Sequence, residues 1–161
     1  MANWGIQCAD RYLGPLYDYL YNRMYRFHVL QADETPAKVS KDGCPANSKS
    51  YMWVYWTGKG YGDPTIILYE YQKTRKGNHP QEFLKGFTGA VICDGYSVYQ
   101  KLDRGTEAIT FARCWTHARR YFVDTLKALP KKEHEVAKDT VAYEAIKRIG
   151  AIYHLDNQLA E

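Results

Sequence analysis

Residues 28–36 read HVLQADETP. An apolar pair, Val29-Leu30, leads to one acid, Asp33, then Glu34, and Thr35-Pro36 close the stretch. Pro36 has no N–H to give to a sheet, so a central strand is not expected to run through it. A second stretch, GAVICDGYSVY at 89–99, has the same design: Ala90-Val91-Ile92-Cys93 runs into Asp94 and then Gly95. Either stretch alone is equally what a short buried strand ending in a polar turn looks like. Together they offer more. Two parallel strands, each ending or centred on an aspartate, can set two carboxylates side by side for a divalent cation.

The 161 residues suffice for one domain with a real core, and at 45% apolar the chain is not disordered by composition. It contains no apolar run long enough for a membrane span, and MANWGIQCAD is not a signal peptide. Cys8, Cys44, Cys93 and Cys114 are widely spaced, as reduced thiols of a cytoplasmic protein would be. Cys114 and His117 have metal-ligand spacing, but no second pair completes a zinc site. The net charge of +4 is unevenly spread: residues 113–132 hold Arg113, Arg119, Arg120, Lys127, Lys131 and Lys132 against one acid, Asp124. Such a face is either simply solvated or suited to a phosphate backbone. The 15 tyrosines and four tryptophans read first as sheet and core packing, with base stacking as the alternative.

Along the chain, Ala9, Leu13, Leu16, Leu20 and Met24 mark a helix over 3–26 with a break at Gly14-Pro15. Strands are expected at 28–34, 51–57 and 65–71, separated by a loop at 40–50 and a turn at 58–64. A basic loop, 72–78, precedes a short helix at 79–85 capped by Asn78. A strand at 89–93, a helix at 96–102 and a strand at 108–114 follow. Thr116 is expected to cap a helix with Ala118, Phe122, Leu126 and Leu129 on one face. The last helix starts at Glu133 and carries Ala142, Ile146, Ile149 and Tyr153. This order implies an α/β fold: an antiparallel meander joined to alternating helix and strand, giving a five-stranded mixed sheet with helices on both faces. Right-handed crossovers place the fourth strand beside the first, and so Asp94 near Asp33.

The order resembles the RNase H-like fold. QADETP, YEYQKTRKGNHPQEFLKGFTG, CDGYSVY and CWTHARRYF resemble, in sequence order, the motifs of the insertion-sequence-sixty-six family of bacterial transposases. The family pattern is H-A-D-E-T-P, then Y-x-x-S-R-x-x-x-x-P, x-D-G-Y-x-x-Y and C-W-x-H-x-R-R-x-F, and the match runs from Trp4 to about Phe122. Gln31 stands where the family has histidine. The family's third acid, a glutamate in N-N-x-x-E-R, has no counterpart up to Glu161; Glu144 is the best internal substitute.

The resemblance implies residues 1–27 as a helical lead-in and 28–161 as an RNase H-like transposase core, incomplete at its C-terminal end. It implies Asp33 and Asp94 as catalytic ligands of Mg²⁺ or Mn²⁺ in DNA cleavage and strand transfer, with Lys38, Arg75, Lys76, His117, Arg119 and Arg120 as DNA contacts. The expected partner is DNA, within a homo-oligomer and away from membranes, in the bacterial cytoplasm at the nucleoid. Without its third acid the fragment is expected to be inactive. A non-catalytic DNA-binding or regulatory remnant and another RNase H-like nuclease are the rival readings.

Overall fold

The computed structural model describes residues 2–39, 43, 45, 48–58, 63–130 and 136–159. Much of the expected 40–50 loop (Cys44 included), most of the 58–64 turn, and Lys131, Lys132 and the Glu133 start of the last helix lie outside them. The chain divides into two compact units, Met1–Ala112 and Arg113–Glu161.

The first unit opens with α1 (Ala2–Cys8), a π-helical turn (Ala9–Leu13) and α2 (Gly14–Met24). The expected break at Gly14-Pro15 is therefore a π turn just ahead of it, with Pro15 in the first turn of α2, where its missing N–H costs nothing. Only the last two residues of the expected stripe turn inward: Met24 is buried and Leu20 packs on the core, whereas Leu13 and Leu16 stay exposed. Tyr17, Tyr21 and Tyr25 supply the rest of the packing face.

The sheet has the order β3-β2-β1-β4-β5, from β1 (Val29–Ala37), β2 (Ser50–Thr57), β3 (Ile67–Gln72), β4 (Gly89–Cys93) and β5 (Ile109–Arg113). β1, β2 and β3 form the antiparallel meander, and β4 runs parallel to β1, as the crossover argument requires. One expectation is corrected: β1 does run through Pro36, which pairs with Tyr51. The parallel pairing with β4 covers only Val29–Gln31. At Pro36 the strand therefore has a paired neighbour on one side only, the edge position where proline is tolerated.

Two short helices complete the unit. The first, α3 (Asn78–Phe83), follows Gly77, and Asn78 lies inside it without the expected side-chain cap. The second, α4 (Ser97–Gly105), runs three residues past its expected end. Strand alternation directs Leu30, Ala32, Trp53, Tyr55 and Leu68 into a core shared with Met24, Phe83, Phe87 and Tyr99. Tyr55 stacks on Phe83 with ring centroids 3.5 Å apart, and the hydroxyls of Tyr21 and Tyr25 both donate to the Phe83 carbonyl at the end of α3. Those tyrosines thus satisfy a helix-terminal carbonyl that burial would otherwise strand. Gly89 opens β4 at φ 140°, and a Cβ there would collide with the His28 carbonyl, so only glycine fits.

The second unit is a helical hairpin, α5 (Trp115–Lys127) and α6 (Val141–Leu159), with a 3-10 turn at Val136–Asp139. Thr116 is inside α5 rather than capping it; its hydroxyl meets the Tyr153 hydroxyl at 2.9 Å. The stripes expected from the sequence are the less exposed faces of both helices, with Ile149 buried.

Candidate active site

Val29, Leu30 and Gln31 pair in parallel with Ala90, Val91 and Ile92. The parallel pairing stops at Gln31 and Ile92; carried two residues further, the same register would put Asp33 opposite Asp94. The alternation that buries Leu30 and Ala32 turns Asp33 to the opposite face, Asp94 follows the end of β4, and both aspartates are half-buried. Both carboxylates are locally fixed. Asp33 Oδ1 accepts the Glu34 N–H at 2.9 Å, and Asp94 Oδ1 accepts the Tyr96 N–H at 2.8 Å in a turn across Gly95.

Glu34 points the other way, as strand alternation requires, and its side chain has no solvent exposure. Arg75, in the β3–α3 connection, meets it: Nε donates to Glu34 Oε1 at 2.7 Å, and Nη2 donates to the same oxygen. The Tyr99 hydroxyl donates to Oε2 at 3.3 Å. Burial pushes the Glu34 carboxyl up; the Arg75 guanidinium pulls it down without cancelling that rise, and Asp94 and Asp33 add to it. Arg75 loses hydration but is held protonated above its ordinary value by Glu34, Tyr96 and Asp94. Its guanidinium carbon lies 3.9 Å from the Tyr96 ring centroid, and Nη2 is 4.0 Å from Asp94 Oδ2. The Tyr96 hydroxyl donates to the Arg75 carbonyl at 2.7 Å.

The other expected site residues are dispersed. Lys38 is exposed just past β1, and Lys76 is exposed beside Arg75. His79 belongs to the first turn of α3, where Thr74 Oγ1 lies 2.8 Å from Nε2; burial and then Lys76 lower its pKa. In the second unit His117 is half-buried on α5. Arg119 and Arg120 are exposed and line a shallow cavity of about 380 Å³ with Thr116, Lys127, Gly150 and Tyr153. Glu144 is engaged by Arg148 Nε at 2.9 Å, which lowers its pKa.

Residue-by-residue reading from the sequence missed the Glu34–Arg75–Tyr96–Tyr99 cluster. Its signal was present in the non-acidic members of the motifs: Arg75 in YQKTR, and Tyr96 and Tyr99 in DGYSVY.

Among the described residues no third acid, histidine or cysteine joins the two aspartates as a metal cluster. The donor set nevertheless suits a hard divalent cation, because paired carboxylates that repel each other when empty are neutralised by one. A mixed sheet of this order, with one acid on its first strand and another just past its fourth, has the RNase H-like arrangement. The chain belongs to the Transposase IS66 family, which matches residues 1–161. It is similar to two uncharacterized proteins of Sinorhizobium fredii (strain NBRC 101917 / NGR234). The first, y4qI, is 31% identical over 133 residues, spanning 77% of this chain and 24% of that protein. The second, y4hP, is 27% identical over 162 residues, spanning 94% of this chain and 29% of that protein. The chain thus spans less than a third of the length of these relatives.

Proposed function

We propose that this chain is part of the catalytic core of a DDE-type transposase, contributing two of its acids, Asp33 and Asp94. The observation that supports this reading is the parallel β1–β4 register, which, carried past its last pair, would align Asp33 with Asp94. They would hold Mg²⁺ or Mn²⁺. Such ions, once bound, activate the attacking oxygen and stabilise the leaving one in displacement at a DNA phosphodiester. The protein's own side chains do the rest. Asp33 and Asp94 supply fixed oxygen ligands, the Glu34 and Tyr96 N–H groups orient them, and Arg75, Lys38 and Lys76 receive backbone phosphates. Arg119, Arg120 and His117 on α5 add phosphate contacts in the second unit, where charge is concentrated.

Little or no strand transfer is expected of this chain, because among the described residues no third acid completes a metal-binding group with Asp33 and Asp94. DNA at the element's ends and at its target is the partner, the working protein is a homo-oligomer, and it acts at the bacterial nucleoid. Among the described residues no helix is long and apolar enough to cross a membrane.

The test is Mg²⁺-dependent cleavage of element-end DNA by the full-length protein carrying Asp33→Asn or Asp94→Asn. Each substitution should lower the rate at least about a hundredfold, because several kcal/mol of charge stabilisation correspond to two or more decades. Duplex binding should survive. Unimpaired cleavage in either variant would remove the acid from the mechanism. Binding without cleavage by the full-length wild type would favour a DNA-binding role without chemistry.

A further inference from the structure

We infer that Glu34 is a positioning residue for DNA, holding Arg75 as a fixed phosphate-gripping fork beside the acid pair; this rests on the DNA-processing reading above. A surface arginine used only for charge would be mobile. Arg75 is restrained on three sides. Its Nε and Nη2 donate to a carboxylate with no solvent exposure, its plane lies on the Tyr96 ring, and its own carbonyl accepts the Tyr96 hydroxyl. Glu34 is held in turn by Tyr99. Yet 39% of the Arg75 side chain remains exposed, and Nη2 reaches to 4.0 Å from Asp94 Oδ2. Guanidinium carries five donors in a rigid fork, and two engage Glu34. The outer donors therefore face solvent next to Asp94, where a backbone phosphate would lie when the acid pair is engaged. A carboxylate fixed from below and a ring along one side make the donor direction part of the fold. The side-chain entropy of gripping a phosphate is then largely spent before DNA arrives.

Charge counting and positioning predict opposite signs, which makes the inference testable. Glu34→Gln removes a negative charge, so charge alone would tighten DNA binding. If Glu34 aims Arg75, the same substitution weakens it. The experiment uses the 161-residue chain and a fluorescent 20-base-pair duplex, measuring affinity against NaCl concentration in wild type, Glu34→Gln and Arg75→Lys. Arg75→Lys keeps the charge and a partner for Glu34 but loses the fork, so it tests the idea even if Glu34→Gln folds poorly. Glu34→Gln should flatten the log–log salt slope by about one and bind about eightfold more weakly at 0.1 M salt, the value of one lost phosphate contact at about 0.9 decades per decade of salt, whereas Arg75→Lys, which keeps its charge, should bind more weakly with a smaller change in slope. In parallel, the Arg75 Nε–H resonance, assigned by its loss in Arg75→Lys, should be protected from exchange in wild type and lost in Glu34→Gln.

Equal or tighter DNA binding with an unchanged slope in Glu34→Gln would overturn the inference. So would a protected Nε–H signal that persists in Glu34→Gln. A wild-type chain that binds no duplex, with the signal still lost in Glu34→Gln, would instead overturn the DNA reading and leave the cluster a feature of folding alone.

Discussion

Arg75→Met separates the stabilising role of the buried ion pair from any role in DNA binding. The substitution keeps the aliphatic stem and removes the countercharge of Glu34, whose side chain is fully buried. Removing one partner of a buried pair costs about 3–5 kcal/mol. Arg75 is 39% exposed and the Tyr99 hydroxyl remains at 3.3 Å, so the low end applies, about 3 kcal/mol at pH 7. For a unit of this size that is a fall in Tm of about 12 °C. The sign with pH follows from the carboxyl. Burial already raises Glu34 above its ordinary 4.5, and without Arg75 the downward pull is gone. A raised folded-state pKa means the fold prefers the protonated acid, so the deficit is absent below the ordinary value and grows as pH rises above it. Urea unfolding followed by circular dichroism at pH 4 and pH 7 measures this. The deficit should shrink at pH 4, and Glu34→Gln combined with Arg75→Met should regain most of it at pH 7. A single variant within about 0.5 kcal/mol of wild type at pH 7, or a deficit indifferent to pH, would refute the reasoning.

Two further outcomes are expected. Glu70 on β3 has one carboxylate oxygen buried without a partner among the described residues, and burial raises its pKa. Glu70→Gln should therefore stabilise the fold by on the order of 1 kcal/mol at pH 7 and by nothing below the carboxyl's ordinary range, read from paired urea titrations. Gly89→Ala should cost about 2 kcal/mol or more, because φ 140° and the His28 carbonyl leave no room for a Cβ; a Tm unchanged in differential scanning calorimetry would count against the described β4 entry.

The sheet order was legible because two signals agreed. β-rich runs fixed the strands, and right-handed crossover fixed β4 beside β1. The 89–93 strand was read to the residue, since Gly89 and Asp94 punctuate both ends. Pro36 misled because the rule against proline in central strands assumes neighbours on both sides, and β1 has lost its parallel partner by then. Helix caps failed at Asn78 and Thr116, because α3 and α5 start one residue or more earlier than read, after Gly77 and Cys114, with no side-chain cap at either. The N-terminal stripe was half right: spacing marks an apolar face but does not say which part of it meets a core. The positions of Asp33 within β1 and of Asp94 just past β4 were legible from the apolar runs that lead into them. The Glu34–Arg75 pair was not, because residues 41 apart give no periodic signal and a basic loop reads as solvated.

The central claim is that Asp33 and Asp94 form one cation site. The most direct measurement is anomalous diffraction from crystals of this chain soaked in Mn²⁺, with Asp33→Asn as control. A shared site gives a peak within coordination distance of both carboxylates, lost in the variant. No peak at saturating Mn²⁺, with the two carboxylates apart and each turned to solvent, would contradict it.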